Sequence, residues 1–211
     1  MGTEAELATF KSPHGVIIKT QRLKLRPVYP LTDIHVIHRM RRNPNAMKFM
    51  STGVEIEDDP FKSVSFDRMR IMTAPGSFSF AVELLLSDGQ TSGDIIGIIG
   101  LFRPPACGYL FDEPYWGKGY ATEAVEGFAR GYFEHFPEGV PGLDPANRNI
   151  LLAYVYEGNH ASEKVLKKAG FREIRKEVGE AHTGEPVTAT VFMIERPEKV
   201  PVPAEVAGLP T

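Results

Sequence analysis

Two glycines two residues apart carry the strongest chemical suggestion in this chain. They lie in Trp116-Gly117-Lys118-Gly119-Tyr120-Ala121-Thr122, preceded by the aromatic and aliphatic run Cys107–Phe111. Pro114 ends that run, because proline cannot donate to a strand ladder. Beyond the glycines, Ala121, Ala124, Val125, Phe128, Ala129, Tyr132 and Phe133 recur at the spacing of one helix face. The unit is strand, glycine turn, helix. N–H groups at a helix start sit at the positive end of its dipole, and glycine leaves them uncovered, so an anion fits there.

Three other residue types bear on chemistry. Glu83 lies on an apolar strand between Ala81 and Leu85, facing away from Phe78, Phe80, Val82 and Leu84. A carboxylate so placed is a candidate general base acting through a water, or a buried ion-pair partner. Cys107 is the only cysteine and the only candidate thiol nucleophile, but it has no histidine near it in sequence and reads as a core thiol. His35 and His38 share a helix face without a third ligand nearby, so no metal site is expected.

Two common anion loops are excluded by spacing. A nucleotide P-loop places Ser or Thr after the Gly-Lys pair, and here Lys118 is followed by Gly119. A dinucleotide fingerprint needs a third glycine three residues past the second, where Thr122 stands. The turn instead resembles the acyl-CoA loop of the GNAT acetyltransferase superfamily: Gln or Arg, two residues, Gly, one residue, Gly or Ala. Gly119 and Ala121 fill the last two places, and Trp116 stands where Gln or Arg is commonest. The wording Trp116–Ala124 is similar to the branch containing the ribosomal-protein N-acetyltransferases of RimJ/RimL type. Thr20–Pro27 resembles the opening strand of the same branch. About forty residues after the turn, Asn159-His160-Ala161-Ser162 and the closing Gly170-Phe171 resemble the superfamily's next motif.

That resemblance implies a mixed, mostly antiparallel, twisted α/β sheet flanked by about four helices, with acyl-CoA held where two parallel central strands splay apart. It implies acetyl-CoA as cosubstrate and no metal. Leu110 and Phe111 would contact pantetheine and acetyl through the main chain. Trp116, Gly117, Lys118, Gly119, Tyr120, Ala121 and Thr122 would form the coenzyme loop, and Asn159 would bind the pantetheine arm while also capping a helix. Many relatives use a tyrosine four residues before the final glycine; Leu166 occupies that place here. Ser162 would then donate the proton to the leaving thiolate, or simply cap the first helical turn. Glu83 is the first candidate base, with Asp112, Glu113 and Glu157 as rivals. The acceptor implied is a primary amine, on a protein N-terminus or a small molecule. A non-catalytic acyl-CoA-binding or interaction module on the same fold is the alternative.

The rest of the chain must position these groups. Its 211 residues suffice for one sizeable domain, expected over 16–196 between a loose stretch 1–15 and a proline-rich tail 197–211. A net charge of −3 argues against a nucleic-acid partner. No apolar run is long enough for a membrane span, no signal-peptide core is visible, and one cysteine fits a reducing compartment, so a cytoplasmic monomer or homodimer is expected. Alternation or short, nearly unbroken apolar runs predict strands over 16–28, 78–86, 95–102, 107–111, 150–156, 172–178 and 188–194, with 95–102 and 150–156 expected to be buried on both faces. Helical spacing predicts helices over 33–42, 60–72, 121–136 and from Asn159 to Gly170, where Gly170 is the expected left-handed C′ residue. Glu123, in the first turn of the third helix, is expected to complement its dipole.

Overall fold

The computed structural model describes residues 2–50, 52–180 and 184–198. Eight strands form one sheet: β1 Ile18–Lys19, β2 Leu23–Pro27, β3 Ser79–Leu85, β4 Thr91–Arg103, β5 Ala106–Phe111, β6 Ile150–Tyr156, β7 Arg172–Glu180 and β8 Pro186–Glu195. Their order is β1-β2-β3-β4-β5-β6-β8-β7. Every neighbouring pair is antiparallel except β5 and β6. The helices are α1 Glu4–Leu7, α2 Pro30–Arg41, α3 Pro44–Met47, α4 Val64–Met72, α5 Tyr120–His135 and α6 His160–Lys168. The mixed, mostly antiparallel sheet expected from sequence is what is found.

Two apolar clusters lie on opposite faces of the sheet. On one, Phe78, Phe80 and Val82 of β3 meet Val125, Phe128 and Tyr132 of α5, with Leu166 of α6 in the same cluster. On the other, Ile34 and Ile37 of α2, Met69 of α4 and Leu7 of α1 pack with Leu110. Alternation along β5 therefore sends Tyr109 toward α5 and α6 and Leu110 toward α2 and α4.

Three expectations change. The strand expected over 16–28 is a hairpin of β1 and β2, because Thr20 closes a turn: its N–H donates to the Leu23 carbonyl and its hydroxyl oxygen accepts from Leu23 N. The helix expected over 60–72 breaks after Lys62, where Ser63 accepts from Ser65 N and caps α4. The N-terminal stretch is not patternless throughout, since Leu7 of α1 is fully buried. One anchoring side chain has no period to reveal it. Of the tail expected over 197–211, residues 199–211 lie outside the described residues.

Two glycines let α5 lie close to the hairpin. A Cβ at Gly127 would stand 2.8 Å from a Thr20 methyl, and one at Gly131 2.3 Å from Ile18. Each glycine costs the helix about 1 kcal/mol relative to alanine. What they permit is contact between the first turn of α5 and residues 20–22.

Candidate active site

A cleft of ≈ 1210 Å³ passes along the seam between β5 and β6. The two strands are paired only at Ala106 with Leu152 and Cys107 with Ala153. Beyond Cys107 they diverge, β5 staying with β4 and β6 with β8. Which main-chain groups face the gap follows from one bond. Asp112 N donates to Ile96 O of β4 at 2.9 Å, so alternation turns the N–H of Leu110 toward β4 as well. The N–H groups of Tyr109 and Phe111 face the gap instead. This corrects the expected main-chain role of Leu110, whose side chain lines the cleft from the α2 and α4 side. The Phe111 carbonyl is held by the Trp116 indole, which donates at 2.8 Å. Trp116 thus ties the end of β5 to the glycine turn.

Gly117 and Gly119 adopt φ of +73° and +83°, a left-handed region that strains residues with a Cβ. Gly119 is the N-cap of α5 and has no side chain with which to cap it. The first helical bond runs from Glu123 N to Gly119 O, so the N–H groups of Tyr120, Ala121 and Thr122 have no partner inside the helix. All three residues line the cleft, with Trp116, Gly117 and Gly119. Lys118 does not join them. Its ammonium donates to Pro114 O at 2.9 Å and lies 5.6 Å from the Tyr115 ring centre.

The turn is braced from the β1–β2 hairpin. Glu123 accepts from Thr20 Oγ1 at 2.6 Å and from Arg22 N and Nε at 2.7 Å each. Burial alone would raise its carboxyl, but these hydrogen bonds and the Arg22 charge outweigh it and hold the group below the usual carboxylate range. Arg22 also donates to Lys118 O at 3.1 Å and stacks 4.7 Å above Tyr120. Glu123 therefore does more than complement the dipole: it fixes the distance between hairpin and turn. Neither partner could be found by local spacing, because they are a hundred residues apart.

Across the gap stands the start of α6. Asn159 Oδ1 accepts from Ser162 N at 3.2 Å, which identifies Asn159 as the cap and leaves its amide N–H₂ available toward the cleft that it lines. Ser162 also lines the cleft but is not the cap. Sequence reasoning missed Tyr109, whose hydroxyl reaches over the gap to 3.4 Å from the Ser162 carbonyl. Burial pushes this phenol up to about 12, against a weaker opposing pull from Ser162, so it stays protonated. A tyrosine on the cleft-facing side of β5 was the available signal. Cys107 is fully enclosed, and burial pushes its thiol up to about 12. A thiol in that state is no nucleophile. Cys107→Ala is expected to leave turnover within about twofold, with no acyl group on the protein by intact-mass spectrometry.

Glu83 is not in the cleft. It accepts from Arg26 Nε at 2.5 Å and from Thr91 at 2.9 Å, with Lys24 3.6 Å away. Arg26 in turn forks onto both oxygens of Asp33 at 2.7 and 2.9 Å. The cluster locks β2 and β3 to α2, so Glu83 is an ion-pair residue and the general-base expectation is withdrawn. The rivals fare no better. Asp112 pairs with Arg39 at 2.9 Å, Glu113 accepts from Asn43 and Asn45, and Glu157 is exposed. Among the described residues the one carboxylate lining the cleft is Glu177, which pairs with Arg175 at 3.2 Å. No group of three or more potential metal ligands is present among the described residues, nor is any helix there long and apolar enough to cross a membrane.

An open helix start beside a strand splay, with donors on three sides, can hold an extended phosphorylated ligand. No curated protein matches the sequence. The fold is shared with an acetyltransferase of the GNAT family from Bacillus anthracis (TM-score 0.65, 20% identity, covering 85% of this chain and 98% of that one). It is shared also with an acetyltransferase from Agrobacterium tumefaciens (TM-score 0.61, 21% identity, 86% and 95%). A third is the microcin C7 self-immunity acetyltransferase MccE, solved with acetyl-CoA and AMP (TM-score 0.62, 14% identity, 83% and 93%). The profile of the acetyltransferase (GNAT) domain matches residues 22–172, from Arg22 of the brace to the first residue of β7, and the chain belongs to that family.

Proposed function

We propose that this protein moves an acetyl group from acetyl-CoA directly to a primary amine. The observation that carries the reading is the alignment of three features on one cleft: the uncapped start of α5, the β5–β6 gap, and the Asn159–Ser162 turn facing it. The residues fit the coenzyme. Unpartnered N–H groups at the glycine turn suit a pyrophosphate, and a Cβ at Gly117 would meet nothing within 4 Å, so that side of the turn is open. The N–H groups of Tyr109 and Phe111 suit the pantetheine and acetyl carbonyls, as preorganised donors of the oxyanion-hole kind. Asn159 suits the pantetheine amide.

When bound, acetyl-CoA supplies a thioester whose C–S bond breaks as the acceptor nitrogen forms the new C–N bond, the amine proton going to solvent and the thiolate gaining one. The chain must orient the donor and meet the thiolate. Ser162 and Tyr109 stand where the sulfur would lie. Both hydroxyls keep their protons at neutral pH, and the Tyr109 phenol, though pushed up to about 12, is still the stronger acid of the two. Tyr109 donates a hydrogen bond to the departing thiolate, and a water held by Ser162 carries the proton that the thiolate gains. Among the described residues the one carboxylate lining the cleft, Glu177, is paired with Arg175, so the acceptor must supply a largely neutral amine. An α-amine with pKa near 7.7–8.0 meets that condition far better than a lysine near 10.4. A protein N-terminus or a small amine of low pKa is the acceptor class that follows, and the motif wording keeps the RimJ/RimL-like branch as the specific affiliation. One catalytic domain over 16–196 and a cytoplasmic address belong to the same proposal.

The missing base also supports a second reading, a module that binds acyl-CoA without turnover. Release of free CoA against an amine panel, with product mass spectrometry, separates the two; binding without any acetylated product establishes the module. Within the enzyme reading, Ser162→Ala is expected to lower kcat by about 10²-fold and Tyr109→Phe by about tenfold, each with acetyl-CoA affinity unchanged. Because Asn159 is the cap, Ser162→Ala should melt within about 0.5 kcal/mol of the parent. An early-melting variant with normal kcat removes Ser162 from the chemistry.

A further inference from the structure

The cleft continues through the sheet to a second mouth on the α2 and α4 face. Its walls there include Arg41 at the end of α2, Arg68 of α4, Asn45, Phe49, Met50 and Met72. Arg41 is 3% exposed, and its only side-chain hydrogen bond among the described residues is Nη2 to Thr52 Oγ1 at 2.9 Å. Its Nε is buried without a partner. Arg68 is half-buried and has neither a hydrogen bond nor an ion pair with any described residue. Burial lowers both guanidinium groups, and their mutual repulsion lowers Arg41 further, to about 10, so both remain charged at neutral pH. One carboxylate offsets them from the neighbouring loop. Glu55 is buried, with one oxygen taken by Glu57 N and the other unpartnered, and it stands outside ion-pair distance of either arginine.

Two desolvated cations beside each other are costly unless something neutralises them. Elsewhere this protein matches its buried cation: Arg26 has two carboxylates. At the second mouth two guanidinium groups share one carboxylate that lies beyond ion-pair distance of both, which leaves a net positive wall with unused fork donors, flanked by apolar side chains.

We propose that the acceptor amine carries an oxyanion, a carboxylate or a phosphate, which Arg41 and Arg68 hold at the mouth opposite the glycine turn. This rests on the acetyl-transfer reading above. Charge-assisted, forked hydrogen bonds from arginine are the strong class of such contacts. The apolar wall of Phe49, Met50 and Met72 then takes the body of the acceptor, and the amine points through the gap toward Tyr109.

The test uses matched amines on the full-length protein. Phenylalanine against phenethylamine isolates a carboxylate, and O-phosphoethanolamine against ethanolamine isolates a phosphate. In at least one pair the anionic member is expected to show a KM lower by roughly tenfold or more. Arg68→Leu should abolish that preference, Arg68→Lys should keep part of it, and KM for acetyl-CoA should stay within about twofold in both. Arg68→Gln replaces the leucine variant if that does not fold. Equal use of both members of both pairs overturns the proposal, as does a preference that survives Arg68→Leu. A second readout is independent of turnover. With the coenzyme site filled by saturating CoA, phenylpropionate or phenyl phosphate should raise the melting temperature of the parent and not of Arg68→Leu. If no amine is turned over, the acetyl-transfer reading fails, yet this shift still decides whether the mouth binds anions.

Discussion

Arg26→Met is expected to destabilise the protein by about 3–5 kcal/mol, the cost of breaking a buried ion cluster by removing one partner. Arg26 is 5% exposed, Asp33 not at all, and Glu83 6%. The substitution leaves the Asp33 fork empty and Glu83 with only Thr91 and the 3.6 Å contact to Lys24. Chemical denaturation at pH 7 measures the loss, and its pH dependence identifies the cause. In the parent, burial tends to raise the Glu83 carboxyl, but the hydrogen bonds and charges of Arg26, with Thr91 and Lys24, win and hold it below its ordinary value. A depressed carboxyl contributes stability that is present above the unfolded pKa of about 4.3 and disappears as pH falls through the folded value. The parent should therefore weaken in acid. In Arg26→Met burial is opposed by much less, the carboxyl moves up, and part of the loss should be regained between pH 7 and pH 5. A deficit that stays constant over that range would point to lost packing rather than to the stranded carboxylates.

The largest expected effect on ligand binding comes from Thr122→Glu. Gly119→Glu is the more obvious probe, but Gly119 sits at φ +83°, so any side chain there adds backbone strain to charge. Thr122 lies in the first turn of α5, lines the cleft, and has ordinary helical backbone. A carboxylate in a first turn favours the helix dipole by about 0.3–1 kcal/mol, while repulsion from Glu126 one turn on offsets a few tenths. Melting should thus stay within about 1 kcal/mol of the parent. Affinity for CoA by calorimetry should fall roughly 100-fold or more, because the new charge enters the position that the proposed coenzyme site gives to a pyrophosphate. Near-parental affinity in the folded variant would remove the glycine turn from the coenzyme site.

What the sequence made legible is what local chemistry determines. β6 falls at residues 150–156 as expected, and α6 begins at its Asn159 cap and ends in a left-handed Gly170, where Phe171 N bonds back to Leu166 O. The α5 face was readable because 3.6-residue spacing persists for four turns. Three things were not readable, each for a distinct reason. Alternation shows that Tyr109 and Phe111 share an edge but not which edge faces the gap; that needs the partner strand. The fates of Glu83 and Glu123 depend on partners 57 and about 100 positions away, which no local window contains. The exposed-or-buried state of Arg41 and Arg68 depends on how α2 and α4 pack, a property of the assembled face. Errors at the candidate site therefore cluster on long-range pairs.

The two-pair seam between β5 and β6 divides the sheet mechanically into two plates. One holds β1 to β5 and carries α5 against β1, β2 and β4; the other holds β6, β8 and β7 and carries α6 against β6. Past Cys107 no sheet bond crosses between them, and the plates are coupled through the seam, the contact of α5 with α6, the Tyr109–Ser162 bond, the Arg196 bonds to the end of α5 and a shared apolar cluster. Relative tilting about that line loads a hinge rather than a ladder, since it stretches few hydrogen bonds and leaves each plate rigid. The width of the slot is accordingly set less by backbone pairing than by the apolar side chains the two plates share, with Leu151, Val155 and Leu166 packed in one cluster with Phe78 and Phe128.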